Sequence, residues 1–200
     1  AVSAEKRKKD DPRVFAVTAR VKIRFEDEDP YEDCIDLQRL CFNLRNAELD
    51  LKGRSAGRAV SMKFFKPVQF TAQIFAGGAV FLLGCRSLLQ CRHASAAVVK
   101  CLSRVLPKKI VKYEMRICSM KACGDLRHPV RLEGLYWDQR EHSAYEPELF
   151  SGLIYRMKEP RVSFLLFVTG KVVMSGSKHY QDYVEALEEF REMAAEYNSA

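Results

Sequence analysis

Apolar residues in this chain fall into short alternating runs and into longer stripes at three- and four-residue steps, and the two patterns come in the same order twice. Val17, Ala19, Val21, Ile23 and Phe25 alternate with other residues, which predicts a strand over Val14–Phe25. The acidic stretch Glu26-Asp27-Glu28-Asp29-Pro30 breaks it. From Cys34 to Leu44, Ile35, Leu37, Leu40, Cys41 and Leu44 mark a short amphipathic helix. Three strand-like runs follow between Arg58 and Leu83. A long helix from about Ser87 to Leu106 is then expected to end before Pro107. The second round predicts a strand near Val111–Cys118, a helix near Val130–Tyr136, strands near Gly152–Met157, Ser163–Val168 and Lys171–Ser175, and a helix over Gln181–Tyr197.

The two rounds share more than order. Ile74-Phe75-Ala76-Gly77-Gly78 and Leu83-Gly84-Cys85-Arg86 return as Leu166-Phe167-Val168-Thr169-Gly170 and Ser175-Gly176-Ser177-Lys178, with Phe75 and Phe167, Gly78 and Gly170, Gly84 and Gly176 all the same 92 positions apart. Two copies point to an intramolecular duplication with pseudo-twofold symmetry. Period-two geometry places Phe164, Leu166 and Val168 on one face of a strand and Ser163, Leu165 and Phe167 on the other, so both faces are apolar. Each unit has two helices, enough to cover one side of its sheet. The other side is expected to lie open as a binding surface.

Composition sharpens this picture only in part. A formal net charge of +7 and a pI near 9.0 make a polyanion a plausible partner. The seven cysteines are scattered, without a Cys-x-x-Cys pair or histidines at zinc-ligand spacing, so free thiols and no metal or other cofactor are expected. No apolar run reaches the length that spans a bilayer and the N-terminus lacks a signal-type apolar stretch; a soluble, intracellular protein without membrane contact is expected. The four histidines show no triad or metal spacing and no glycine-rich phosphate loop precedes a helix, which argues against an enzyme. Residues 1–12 are expected to form a flexible basic tail, and no role is assigned to the acidic insertion at 26–34.

Several runs are close to the second repeat of the TATA-binding protein family: Pro129-Val130-Arg131-Leu132-Glu133-Gly134-Leu135, the stretch from Ser143 to Met157, and Phe167-Val168-Thr169-Gly170-Lys171. In the first repeat Asp36-Leu37 and Arg45-Asn46-Ala47-Glu48 match well. The chain thus resembles that family over roughly residues 14–198. The resemblance implies an α+β saddle: two pseudo-symmetric repeats, 13–106 and 107–200, forming a ten-stranded curved antiparallel sheet with four helices on the convex face. It also implies a concave face that sits astride the minor groove of double-stranded DNA.

On that resemblance, Phe150 and Phe167 in the second repeat and Phe75 in the first are the rings that wedge between base steps. A fourth position falls near Gly57, where no aromatic stands. Phosphate contacts are implied for Arg156, Arg161, Lys171, Lys178, Lys63 and Arg86. Leu165, Val173 and Ser175 keep to the family type on the groove floor, whereas Ala16 and Ser119 stand where the family has asparagines, Lys121 and Gln73 replace apolar residues, and Phe81 and Leu83 replace a small apolar residue and a threonine. DNA binding with relaxed preference for TATA-like sequences is therefore expected, since minor-groove readout rests on few acceptors. Glu146, Glu148 and Leu149 match the family's contact with transcription factor IIB, and Arg45, Asn46 and Glu48 lie near where transcription factor IIA docks.

The implied function is that of a nuclear, non-enzymatic transcription initiation factor, with promoter-binding or polymerase-associated proteins as further partners and self-association through the concave face as a possibility. The alternative is a scaffold that acts mainly through protein contacts.

Overall fold

A computed structural model describes residues 11–26, 35–50, 59–66 and 68–199. The chain divides into two compact units: the first is Ala16–Cys118, and the second is Ser119–Ala200 with the N-terminal residues up to Phe15. The first unit draws on β1 (Arg13–Phe25), α1 (Leu37–Asn43), β2 (Ala47–Asp50), β3 (Ala59–Phe64), β4 (Phe70–Phe75), β5 (Ala79–Cys85) and α2 (Leu88–Val105). Its strands lie in the order β2-β3-β4-β5-β1, each pairing antiparallel. The second draws on β6 (Ile110–Asp125), α3 (Leu132–Asp138), β7 (Ser143–Ala144), β8 (Leu153–Arg156), β9 (Ser163–Leu166), β10 (Lys171–Ser175) and α4 (Tyr180–Ala194), closed by a 3-10 turn at Ala195–Tyr197. Its antiparallel order is β6-β10-β9-β8-β7. The same strand–helix–four-strand–helix series thus occurs twice, with ten strands and four α-helices among the described residues.

Alternation predicts eight of these strands. It misses β2 and β7, four and two residues long, because a run that short carries no measurable period. Both sit at the outer edge of their sheets, where short strands limit unwanted pairing. β6 is longer than the expected strand at Val111–Cys118, since pairing with β10 carries it on to Asp125. β9 stops at Leu166, so Val168 leaves the face of Phe164 and Leu166 and is exposed.

One face of each sheet carries the core. In the second unit Phe190 of α4 stacks on Phe164 with ring centroids 4.3 Å apart and lies 5.2 Å from Tyr155. Leu187 packs so close to β6 that a Cβ on Gly124 would stand 2.8 Å from its Cδ2. Tyr183 ties helix to sheet through its hydroxyl, which donates to the Met120 carbonyl at 2.5 Å and accepts from the Ser177 amide at 3.2 Å. Burial raises the Tyr183 pKa. In the first unit α2 packs on β5, with Cys91, Ala94, Val98 and Leu102 buried on the helix and Val80 and Leu82 on the strand.

Of the stretch expected as a tail, residues 1–10 lie outside the described residues, whereas Pro12 is buried and its carbonyl accepts from the Tyr180 hydroxyl. The acidic insertion lies outside them too, except Glu26, which pairs with Lys109 at 2.9 Å. Cys41, Cys85, Cys91, Cys101, Cys118 and Cys123 are free thiols; Cys34 is outside the described residues. Among the described residues no helix is long and apolar enough to cross a membrane.

Candidate nucleic-acid interface

Cross-strand register identifies the face the helices do not cover. In the second unit Ile154, Leu165, Val173 and Cys123 form one row across β8, β9, β10 and β6, and Arg156, Ser163, Ser175 and Lys121 form the next. Residues of the first row are half-buried or exposed, while their neighbours Leu153, Phe164, Leu166, Val172 and Met174 are fully buried on the helix side. Leu165, Phe167 and Val173, expected on an open face, therefore have it. A groove of about 670 Å³ runs past the Lys171 end of β10, lined by Cys123, Val173 and Phe167 on the uncovered side and by Gly124, Val172 and Arg191 on the helix side.

Two rings stand at the edge of this row. Phe167 follows β9 and opens a tight turn, its amide donating to the Lys171 carbonyl and its carbonyl accepting from Gly170 at 2.9 Å. Gly170 takes φ +80, a conformation that side chains rarely adopt, so the turn needs glycine there. Phe150 is delivered from the other side, after a turn in which Leu149 and Phe150 both donate to the Glu146 carbonyl. Ring centroids of Phe150 and Phe167 are 6.1 Å apart at 66°, an edge-to-face pair. Gly152 makes this possible: a Cβ there would lie 2.6 Å from Cε1 of Phe150 and 2.9 Å from Cδ1 of Leu165. Phe150 itself is 49% exposed.

The same turn recurs in the first unit, where Gly78 donates to the Phe75 carbonyl at 3.1 Å and takes φ +73. The uncovered face beside it is more polar. Glu48, Ser61, Gln73, Phe81 and Arg20 form one row, and Lys63, Thr71 and Leu83 another. Phe75 meets Phe81 edge to face, with centroids 5.6 Å apart at 77°, and the Arg20 guanidinium carbon lies 6.0 Å from the Phe81 ring centre. The position near Gly57 lies outside the described residues.

Among the cations named from sequence, Lys121, Arg156, Arg161, Lys171 and Lys178 are exposed around the second-unit face, and Arg86 is exposed just beyond β5. Lys63 pairs with Glu48 at 3.7 Å, so a residue assigned to DNA and one assigned to a protein partner meet. Both are well exposed, and such a pair contributes little. Ser119 is half-buried on β6 and Ala16 on β1. Glu146, Glu148 and Leu149 share one exposed turn, with Leu149 81% exposed. Arg45, Asn46 and Glu48 occupy the corner between α1 and β2, where Asn46 takes φ +55 and its carbonyl accepts from the Lys63 amide. Sequence reasoning missed Ile154, Gly152 and Arg20 as parts of these faces. Among the described residues no cluster of three His, Cys, Asp or Glu side chains forms a metal site.

Residues 114–197 match the family model described as Transcription factor TFIID (or TATA-binding protein, TBP). The fold agrees: the structure of Methanococcus jannaschii TBP superposes with a TM-score of 0.78 and 28% identity, covering 93% of this chain and 99% of that one. Fold and duplicated open sheet face thus define a chain of the TBP class. TATA box-binding protein-like 2 of Xenopus laevis is 38% identical over 155 residues, 77% of this chain and 47% of its own length. The TATA-box-binding protein of Xenopus tropicalis is 37% identical over 155 residues, 77% of this chain and 50% of its own. The chain is a diverged member of the TATA-binding protein family. Its match spans about half the length of these relatives.

Proposed function

We propose that this chain is a nuclear transcription factor that binds double-stranded DNA in the minor groove through its uncovered sheet faces and recruits initiation factors of the IIA and IIB kinds. The observation that carries the reading is the Phe150–Phe167 pair beside the apolar row Ile154, Leu165 and Val173, with Lys121, Arg156 and Lys171 around it. Rings at the edge of an apolar surface can enter a base step, and the cost of unstacking is recovered when bent DNA covers more protein. Cations on the rim neutralise phosphates and release counterions. Ser119 and Ala16 lack the amides that would read A·T acceptors, so sequence preference is weak. No catalytic role is proposed.

Gel shifts with TATA-containing and scrambled duplexes test this. We expect binding to both with a modest ratio between them; a strong preference for TATA would overturn the relaxed specificity, and no binding to either would overturn the DNA reading. The second reading, a scaffold acting through protein contacts, draws on the missing amides and on the exposed turn at Glu146, Glu148 and Leu149. Charge reversal of Glu146 and Glu148 is expected to abolish capture of a IIB-like factor while duplex binding persists. Unchanged capture would exclude this turn as its contact.

A further inference from the structure

The first unit lacks an aromatic residue anywhere in 51–58, yet it presents two rings on its open face. We propose that Phe81 supplies the second ring of a base-step wedge in the first unit, pairing with Phe75 as Phe150 pairs with Phe167. The inference rests on the minor-groove reading above and extends it to a residue and a location.

Three observations carry it. The two pairs have the same edge-to-face form, 5.6 Å at 77° and 6.1 Å at 66°. Phe75 and Phe167 occupy equivalent places, because they open duplicate turns, and in each unit a second ring meets them at the row just inside. That row in the second unit is Leu165 and Val173, and Phe150 lies against Leu165; in the first unit it is Gln73 and Phe81, the positions 92 residues earlier. Finally, Phe81 is held in place. It rises from β5 opposite Gln73 on one side and Arg20 on the other, with the Phe75 ring 5.6 Å and the Arg20 guanidinium carbon 6.0 Å from its centre. A ring fixed in this way loses little freedom on entering a base stack, and both rings are only half-buried.

The two wedges differ in origin. Phe150 reaches its row from the outer side, near β8, whereas Phe81 stands on β5, nearer β1. Within the first unit the second ring is therefore displaced toward β1, from the place equivalent to β3 to β5. The wedge in this unit consequently opens nearer β1 than a copy of the Phe150 arrangement would.

The test uses the full chain with a set of A·T-rich duplexes in which 2-aminopurine replaces adenine at each position in turn, its fluorescence rising where a step is unstacked. Two maxima are expected, assigned by Phe75→Ala and Phe150→Ala. Phe81→Val, which installs the residue found at 173, should reduce the Phe75-dependent maximum several-fold and leave the other unchanged. Phe81→Trp should retain it. Circular dichroism melting of each variant excludes unfolding as the cause. If Phe81→Val binds duplex and leaves both maxima in place, this inference fails while the minor-groove reading stands; if the unaltered chain neither binds nor unstacks any duplex, that reading fails and takes the inference with it.

Discussion

Glycine 152 shows how a residue with no side chain can shape a binding face. Its missing Cβ is the space into which the Phe150 ring settles against Leu165. Gly152→Ala should push that ring off its seat without unfolding the unit, because the displaced group is at the surface. We expect a loss of duplex affinity on the order of tenfold, about 1.4 kcal/mol, with an unchanged thermal midpoint, measured by gel shift and calorimetry. Equal affinity would mean that the position of Phe150 does not matter. Phe81 makes the complementary point. Its departure from the Val173 type is visible by lining up the two copies, but its partner is not, since Phe75 and Phe81 meet only through the β4–β5 register.

Helix α4 holds the second unit's sheet by apolar packing and one buried polar link. Leu187 and Phe190 stand at helical spacing within the helix expected over Gln181–Tyr197, and the structure puts both against the sheet. Tyr183 falls on the same helical spacing, but that spacing does not show that its hydroxyl joins the Met120 carbonyl and the Ser177 amide. Tyr183→Phe should cost about 1–3 kcal/mol of unfolding free energy, the penalty for leaving buried groups unpaired. Its pH dependence has a defined sign. Burial raises the folded-state pKa, so the neutral phenol is the form the fold favours. Its contribution is full below the ordinary tyrosine value of about 10 and is lost as pH rises through the folded value. Denaturant titrations of the variant should accordingly show a shallower alkaline loss than the unaltered chain, and parallel curves would remove Tyr183 from that role. The short strands β2 and β7 belong to this scale too. They form because a neighbouring strand pairs with them, not because two or four residues prefer extension.

For the molecule as a whole, salt dependence is the property that summarises the proposed interface. If the six cations Lys63, Arg86, Arg156, Arg161, Lys171 and Lys178 each neutralise a phosphate, the logarithm of affinity should fall with the logarithm of salt at a slope of about −5. Lys171→Ala should make it shallower by about 1. A slope near zero would leave the basic composition without a role in DNA binding. The duplication, the element order and the apolar character of the second unit's open face were set by the sequence alone, because side-chain periodicity and the repeated turn glycines are local properties of the chain. Which side of each sheet stays uncovered, and which rings and charges meet on it, depended on strand register and helix packing. Those join residues far apart along the chain, as Phe150 and Phe167 or Arg20 and Phe81, and no local pattern encodes the distance between them.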